Sequence, residues 1–194
     1  MTDRLSRRDL ICRAAVELAA GGGNHAVTHQ AIDARLGLPR GSTSYYYRTR
    51  KALLDATITH LTDRSRADFT GVVPPEPPRT PAVAADSIAR YLDMLVTQRR
   101  VDVLARYALV SDAMEENDLR VGLASCLFSV DAARDLMDGL GAADPEAAAR
   151  DLVSLCEGLA FDLTCGHRSL GDIDPRRDLE VAVRRWIVAL LEPR

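Results

Sequence analysis

The sequence predicts an all-α protein of about nine helices. Apolar residues recur at three- and four-residue steps along nearly the whole chain, and no stretch alternates with a period of two for long. Glycine and proline clusters fall between these runs as stop signals. Three regions follow: a first domain over residues 1–70, a proline-rich connector over 71–81, and a second helical domain over 82–194.

The first helix opens with Ser6 and Asp9, spaced as a capping box. Leu10, Ile11, Ala14, Ala15 and Leu18 mark its buried stripe, and Gly21-Gly22-Gly23 ends it. No strand precedes those glycines and no Gly-Lys-Ser/Thr follows, so they read as a stop and not as a phosphate cradle. Thr28 is placed to cap a short second helix with Ile32 and Leu36 inward, stopped by Gly37. Pro39 fits the first turn of a third helix carrying Gly41 through Tyr47. Thr49 caps a fourth, with Leu53, Leu54, Ile58 and Leu61 on its apolar side, running to about Phe69.

The connector "GVVPPEPPRTP" holds five prolines, which exclude helix or central strand and make a semi-rigid link. Beyond it, helices are expected near 82–99, 101–115, 118–139, 145–166 and 176–191. Asn117, Gly139–Gly141 with Pro145, and "SLGDIDP" separate them.

Composition narrows the function. Residues 1–70 carry eleven Lys and Arg against seven Asp and Glu, whereas the rest carries fourteen against twenty-one, inside a net charge of −3. A basic module on an acidic body suits a polyanionic partner for the first region. The charged N-terminus lacks the apolar core and cleavage site of a signal peptide, and no apolar run is long enough for a bilayer, so a cytoplasmic protein without membrane contact is expected.

Four scattered cysteines, Cys12, Cys126, Cys156 and Cys165, read as free thiols. Cys165 and His167 alone cannot complete a tetrahedral zinc site, so no metal is expected, and no cofactor motif is present. No nucleophile–base or paired-carboxylate signature suggests an enzyme. Surface or capping roles account for His25, His29 and His60.

Three consecutive tyrosines at 45–47, out of five in the chain, must point in several directions from one helix. Tyr47 is expected inward. Tyr45 and Tyr46 would offer hydroxyls to phosphates, with Arg48, Arg50 and Lys51 supplying positive charge around them. Two short helices separated by a Gly-containing turn in a basic surround fit a helix-turn-helix whose second helix enters the major groove.

"VTHQAIDARLGLPRGSTSYYYRTRKALLDA", with the helix before it, resembles the DNA-binding domain of the TetR family of transcriptional regulators. That family's pattern runs Gly-aliphatic-Ser-x-Gly-Thr-Leu-Tyr-x-His-Phe-x-x-Lys-x-x-Leu, and Gly37, Leu38, Gly41, Ser42, Tyr47, Arg50 and Leu53 match it identically or conservatively, with Arg40 and Tyr45 at its open positions. Thr43, Ser44 and Tyr46 depart from the usual leucine, tyrosine and histidine. An inward Thr43 would need a local partner for its hydroxyl, such as a backbone carbonyl one turn earlier.

The resemblance implies that Thr28 caps and touches phosphate, that Gln30 meets a base or the backbone, and that Arg40, Ser42 and Ser44 face the groove. Arg40 would be the base reader, its fork matching guanine O6 and N7. Tyr45, Tyr46 and Arg50, beside Lys51, would hold the phosphate backbone. It further implies a homodimer on double-stranded operator DNA, acting as a repressor released by a small-molecule effector.

An effector cavity would lie near Tyr91, Met94, Tyr107, Met114, Phe128 and Phe161, with Asp162 or His167 as polar anchors. The last two helices present long apolar stripes, Leu152, Leu155, Cys156, Leu159 and Leu163 on one and Leu179, Val183, Trp186, Ile187 and Leu190 on the other. These suit either the chain's own core or a two-fold bundle, in which Leu152, Leu155, Leu159, Leu163, Val183, Trp186, Ile187 and Leu190 form the interface. The competing reading is a helical dimer that binds a ligand or protein without reading DNA, against which the Arg40/Arg48/Arg50/Lys51 cluster stands.

Overall fold

The computed structural model describes residues 6–72, 76–114, 116–171 and 175–192. Within them the chain forms eleven α-helices and no strand. These are α1 (Arg7–Gly22), α2 (His29–Arg35), α3 (Ser42–Tyr46), α4 (Arg50–Val72), α5 (Pro81–Thr97), α6 (Arg100–Ala108), α7 (Val110–Ala113), α8 (Asn117–Ala124), α9 (Val130–Gly139), α10 (Pro145–Thr164) and α11 (Pro175–Leu191).

The local signals act where the sequence puts them. Ser6 and Asp9 form a reciprocal capping box on α1, and α1 stops at a Gly23 of positive φ. Thr28 Oγ1 accepts from the Ala31 N–H and Thr49 Oγ1 from the Ala52 N–H. Each satisfies a helix-start donor that would otherwise lack a partner. Thr80 caps α5, with Pro81 in the first turn where its missing N–H costs nothing.

Two long runs are broken. The stretch expected as one helix over 101–115 divides at Leu109 into α6 and α7. That expected over 118–139 divides into α8 and α9, the second restarted by Ser129, which accepts from the Ala132 N–H. Neither break carries a glycine or proline, so apolar period alone runs through both. Of the connector, residues 73–75 lie outside the described residues, as do 172–174 of "SLGDIDP".

The helices gather into two compact units. The first joins the chain up to Ser65 with Val101–Leu127; the second joins Arg66–Arg100 with Phe128–Arg194. The division thus falls within α4, ahead of the proline-rich segment, and α6 to α8 fold with the N-terminal helices. Ion pairs hold this arrangement, Arg64 with the buried Asp102 at 3.1 Å and Arg50 with Asp112 at 3.1 Å. Val103, Leu109, Leu119 and Leu123 are buried in the same unit.

The second unit has its own core, in which Ala84, Ala85, Ala89 and Leu92 of α5 meet Leu152, Cys156 and Leu159 of α10 and Leu179, Val183 and Ile187 of α11, with Met137 from α9. The small α5 residues let the neighbouring helices approach closely, and removal of this apolar surface from water drives the unit's folding.

Candidate nucleic-acid interface

The third helix is too short to stand alone. It has five residues, and its N-cap, Gly41 at φ 94°, has no side chain to cap it. Gly37 and Gly41 both take positive φ, which lets the chain reverse between α2 and α3 without Cβ strain. Pro39 therefore sits in the turn and not in the helix: its carbonyl accepts from the Ser42 N–H at 3.1 Å and from Ser42 Oγ at 2.6 Å.

α2 supplies what α3 lacks. Asp33 is 3% exposed, and its carboxylate accepts from the Gly41 N–H at 2.7 Å, the Thr43 N–H at 2.8 Å and Thr43 Oγ1 at 2.6 Å. One turn earlier, His29 Nε2 donates to the Tyr47 carbonyl at 2.7 Å, a partner that fixes this nitrogen as the protonated one. Two side chains four residues apart on one face of α2 thus grip both ends of α3. Burial alone would raise the Asp33 carboxyl, but the Thr43 hydroxyl, the two amides and the charge of His29 together hold it below its ordinary value. The inward Thr43 hydroxyl bonds this carboxylate and not a carbonyl one turn earlier.

The tyrosine block separates by direction. Tyr45 is 84% exposed, Tyr46 is half-buried, and the two rings meet edge to face at 5.3 Å. Tyr47 turns inward, its hydroxyl 3.6 Å from Cys12 Sγ. Burial, then the Cys12 contact, push its phenol up to about 12. The Arg8 guanidinium stands 5.9 Å from the Tyr46 ring and 5.4 Å from that of Tyr47, a cation–π arrangement that ties α1 to α3.

Thr28, Gln30, Arg40 and Ser44, all expected to meet DNA, come together with His29, Asp33 and Gly41 around one open polar hollow of about 570 Å³. Arg40, Ser44, Tyr45 and Arg48 are exposed, and Ser42, whose hydroxyl donates to the Pro39 carbonyl, is half-buried. Arg50 and Lys51 differ from this set. Arg50 spends its donors internally, on the Val27 and Asn24 carbonyls and through Nε and Nη2 on both Asp112 oxygens. It is a brace between the start of α4, the turn before α2, and α7. Lys51 lies 3.1 Å from Asp55 and 3.9 Å from Asp118; the Asp55 bond raises its ammonium.

The other candidate sets also divide. Tyr91 is buried in the second unit and packs edge to face against Phe69 at 5.2 Å and Phe128 at 6.0 Å. Met94 of α5 is half-buried nearby in sequence, whereas Tyr107 and Met114 belong to the first unit. Phe161 and His167 are exposed, and Asp162 is engaged locally, accepting from the Arg168 N–H at 3.3 Å and pairing with its guanidinium. Of the expected interface stripe, Leu152, Leu159, Val183 and Ile187 are 5% exposed or less in the unit's own core, Leu163, Trp186 and Leu190 are half-buried against it, and Leu155 is half-buried. The outward faces carry other residues: Ser154, Gly158 and Phe161 on α10, with Cys165 just past its end, and Val181 and Val188 on α11.

Two helices, α2 and α3, joined by a clamped turn, with Ser44 and Tyr45 exposed on the second, have the form of a helix-turn-helix. Residues 79–189 match the family described as "Tetracyclin repressor-like, C-terminal domain". The chain belongs to the TetR family of transcriptional regulators.

Solved structures share the fold over nearly the whole length. A transcriptional regulator from Rhodococcus sp. Rha1 is 20% identical, with 96% of each chain covered and a TM-score of 0.77. A TetR-family member from Streptomyces coelicolor A3 is 21% identical, covering 97% of this chain and 100% of its own, with a TM-score of 0.70. The multidrug binding protein EbrR complexed with malachite green is 20% identical over 97% and 100%, with a TM-score of 0.71. No curated protein matches by sequence.

Proposed function

We propose that this chain is a cytoplasmic, non-enzymatic repressor that binds a palindromic operator as a homodimer and is released by a small molecule. The observation that carries the reading is the exposed, polar surface at α2 and α3, on which Arg40, Ser44, Thr28 and Gln30 converge while Ile32 of α2 and Thr43 of α3 turn inward. Such a surface matches a groove edge, with Arg40 reading a base and the hydroxyls of Thr28, Tyr45 and Tyr46 meeting phosphates. Two copies related by a two-fold axis would read matching half-sites.

EbrR, a multidrug binding protein seen with malachite green and with ethidium, supports a small-molecule effector for the helical second unit. The edge-to-face group of Phe69, Tyr91 and Phe128 is the aromatic surface we assign to that effector. An effector that prefers a conformer with misplaced recognition helices weakens operator binding by the same factor by which operator weakens effector binding.

Selection of bound sequences from random duplex DNA tests the reading. An enriched palindrome is expected, and Arg40→Ala should lose about 1–3 kcal/mol of discrimination at one base pair per half-site. Absence of any enriched sequence with folded dimer at low salt would favour a helical dimer that binds ligand or protein alone.

A further inference from the structure

The buried carboxylate of Asp33 has a cost that a purely structural cap would not need to bear. It lines the same hollow as Arg40, on the face proposed to meet a polyanion, so its charge opposes phosphate approach to every sequence alike. A neutral cap on Gly41 would avoid that. What the charge adds is rigidity at one place: Asp33 Oδ2 holds the Gly41 N–H, and Oδ1 holds both the amide and the hydroxyl of Thr43. The Gly41 N–H belongs to the Arg40–Gly41 peptide, so this bond fixes the plane from which the Arg40 side chain departs. Charge-assisted bonds to buried donors are strong and directional, and leaving such donors unpaired is costly.

We propose that Asp33, with Thr43, is a positioning residue for base reading: it sets the direction of Arg40 and the first turn of α3, raising sequence discrimination while lowering affinity for DNA in general. This rests on the operator-binding reading above. Asp33 touches no base; it acts through Arg40.

Asp33→Asn keeps the shape but replaces one acceptor oxygen by an amide NH₂, which cannot accept from the facing backbone N–H. Binding of the full-length protein to the selected operator and to a scrambled duplex would be measured by fluorescence anisotropy, with circular dichroism and melting to establish folding. The expected result is an operator affinity about tenfold lower and a scrambled-duplex affinity unchanged or higher, so that the ratio collapses from both sides. Thr43→Val, which keeps both amide bonds and loses only the hydroxyl, should lower the ratio less, and Thr43→Ser should restore it.

An equal loss on both duplexes would reduce Asp33 to a stabiliser and overturn the proposal, as would full discrimination in both Asp33→Asn and Thr43→Val. Should Asp33→Asn not fold, the Val and Ser pair decides in the same way. A wild-type protein with no preference between the duplexes overturns the operator-binding reading, and this proposal with it; a discriminating wild type beside equally discriminating variants overturns this proposal alone.

Discussion

Tyr47 shows what one residue contributes when its ring faces inward. Its phenol is pushed from 10.0 to about 12 by burial and by the Cys12 contact, and burial likewise raises the Cys12 thiol. An acid whose folded value lies above its unfolded one stabilises the fold fully below the unfolded value, and that contribution is lost as pH rises through the folded value. Stability in urea should therefore fall between about pH 10 and 12 more steeply in the wild type than in Tyr47→Phe, which lacks the titrating hydroxyl. Parallel curves would show that the phenol is not held as described. Arg40 and Ser44 were legible as surface residues from the motif they resemble, but Asp33 was not. Its partners lie eight and ten residues away across a turn, and sequence spacing alone does not reveal an acceptor that must reach over a reversal.

At the scale of elements, caps were the most readable feature, because Ser6, Thr28 and Thr49 each bond an amide three residues on, within the span a local pattern covers. The brace by Arg50 is the opposite case. It joins α4 to Asp112, sixty-two residues later, and to carbonyls of the turn before α2. Arg50→Ala should destabilise the first unit by about 1–2 kcal/mol, a partly exposed charged bond set being discounted for solvent screening. Asp112→Asn should reproduce most of that loss in a thermal melt. If Arg50→Ala instead melts like the wild type, yet weakens binding to all DNA and flattens its salt dependence, Arg50 is a phosphate contact as the motif suggests.

For the whole molecule, the apolar stripes of α10 and α11 supply Leu152, Leu159, Val183 and Ile187 to the second unit's own core, a partner that only packing decides. Leu159 and Ile187 lie in the core of the second unit, so Leu159→Asp or Ile187→Asp should cost about 4 kcal/mol or more and unfold that unit. A dimer through these helices would use their outward faces, where Val181 and Val188 are 46% and 45% exposed. Val188→Asp should then give a folded monomer by light scattering, with an unchanged helical spectrum. A wild-type dimer that persists in Val188→Asp would place the interface elsewhere.

The sequence by itself determined the helical class, most helix starts, the inward Tyr47 and the family, because these depend on residue period, on caps a few residues long and on a contiguous motif. Tertiary structure alone decided that α6 to α8 fold with the N-terminal helices, that Arg50 bonds Asp112 and the Val27 and Asn24 carbonyls, and that Leu159 lies in the core of its own unit. Each of these depends on which distant surfaces meet, and an apolar stripe or a charged side chain is equally favourable against any complementary partner until the chain closes around one.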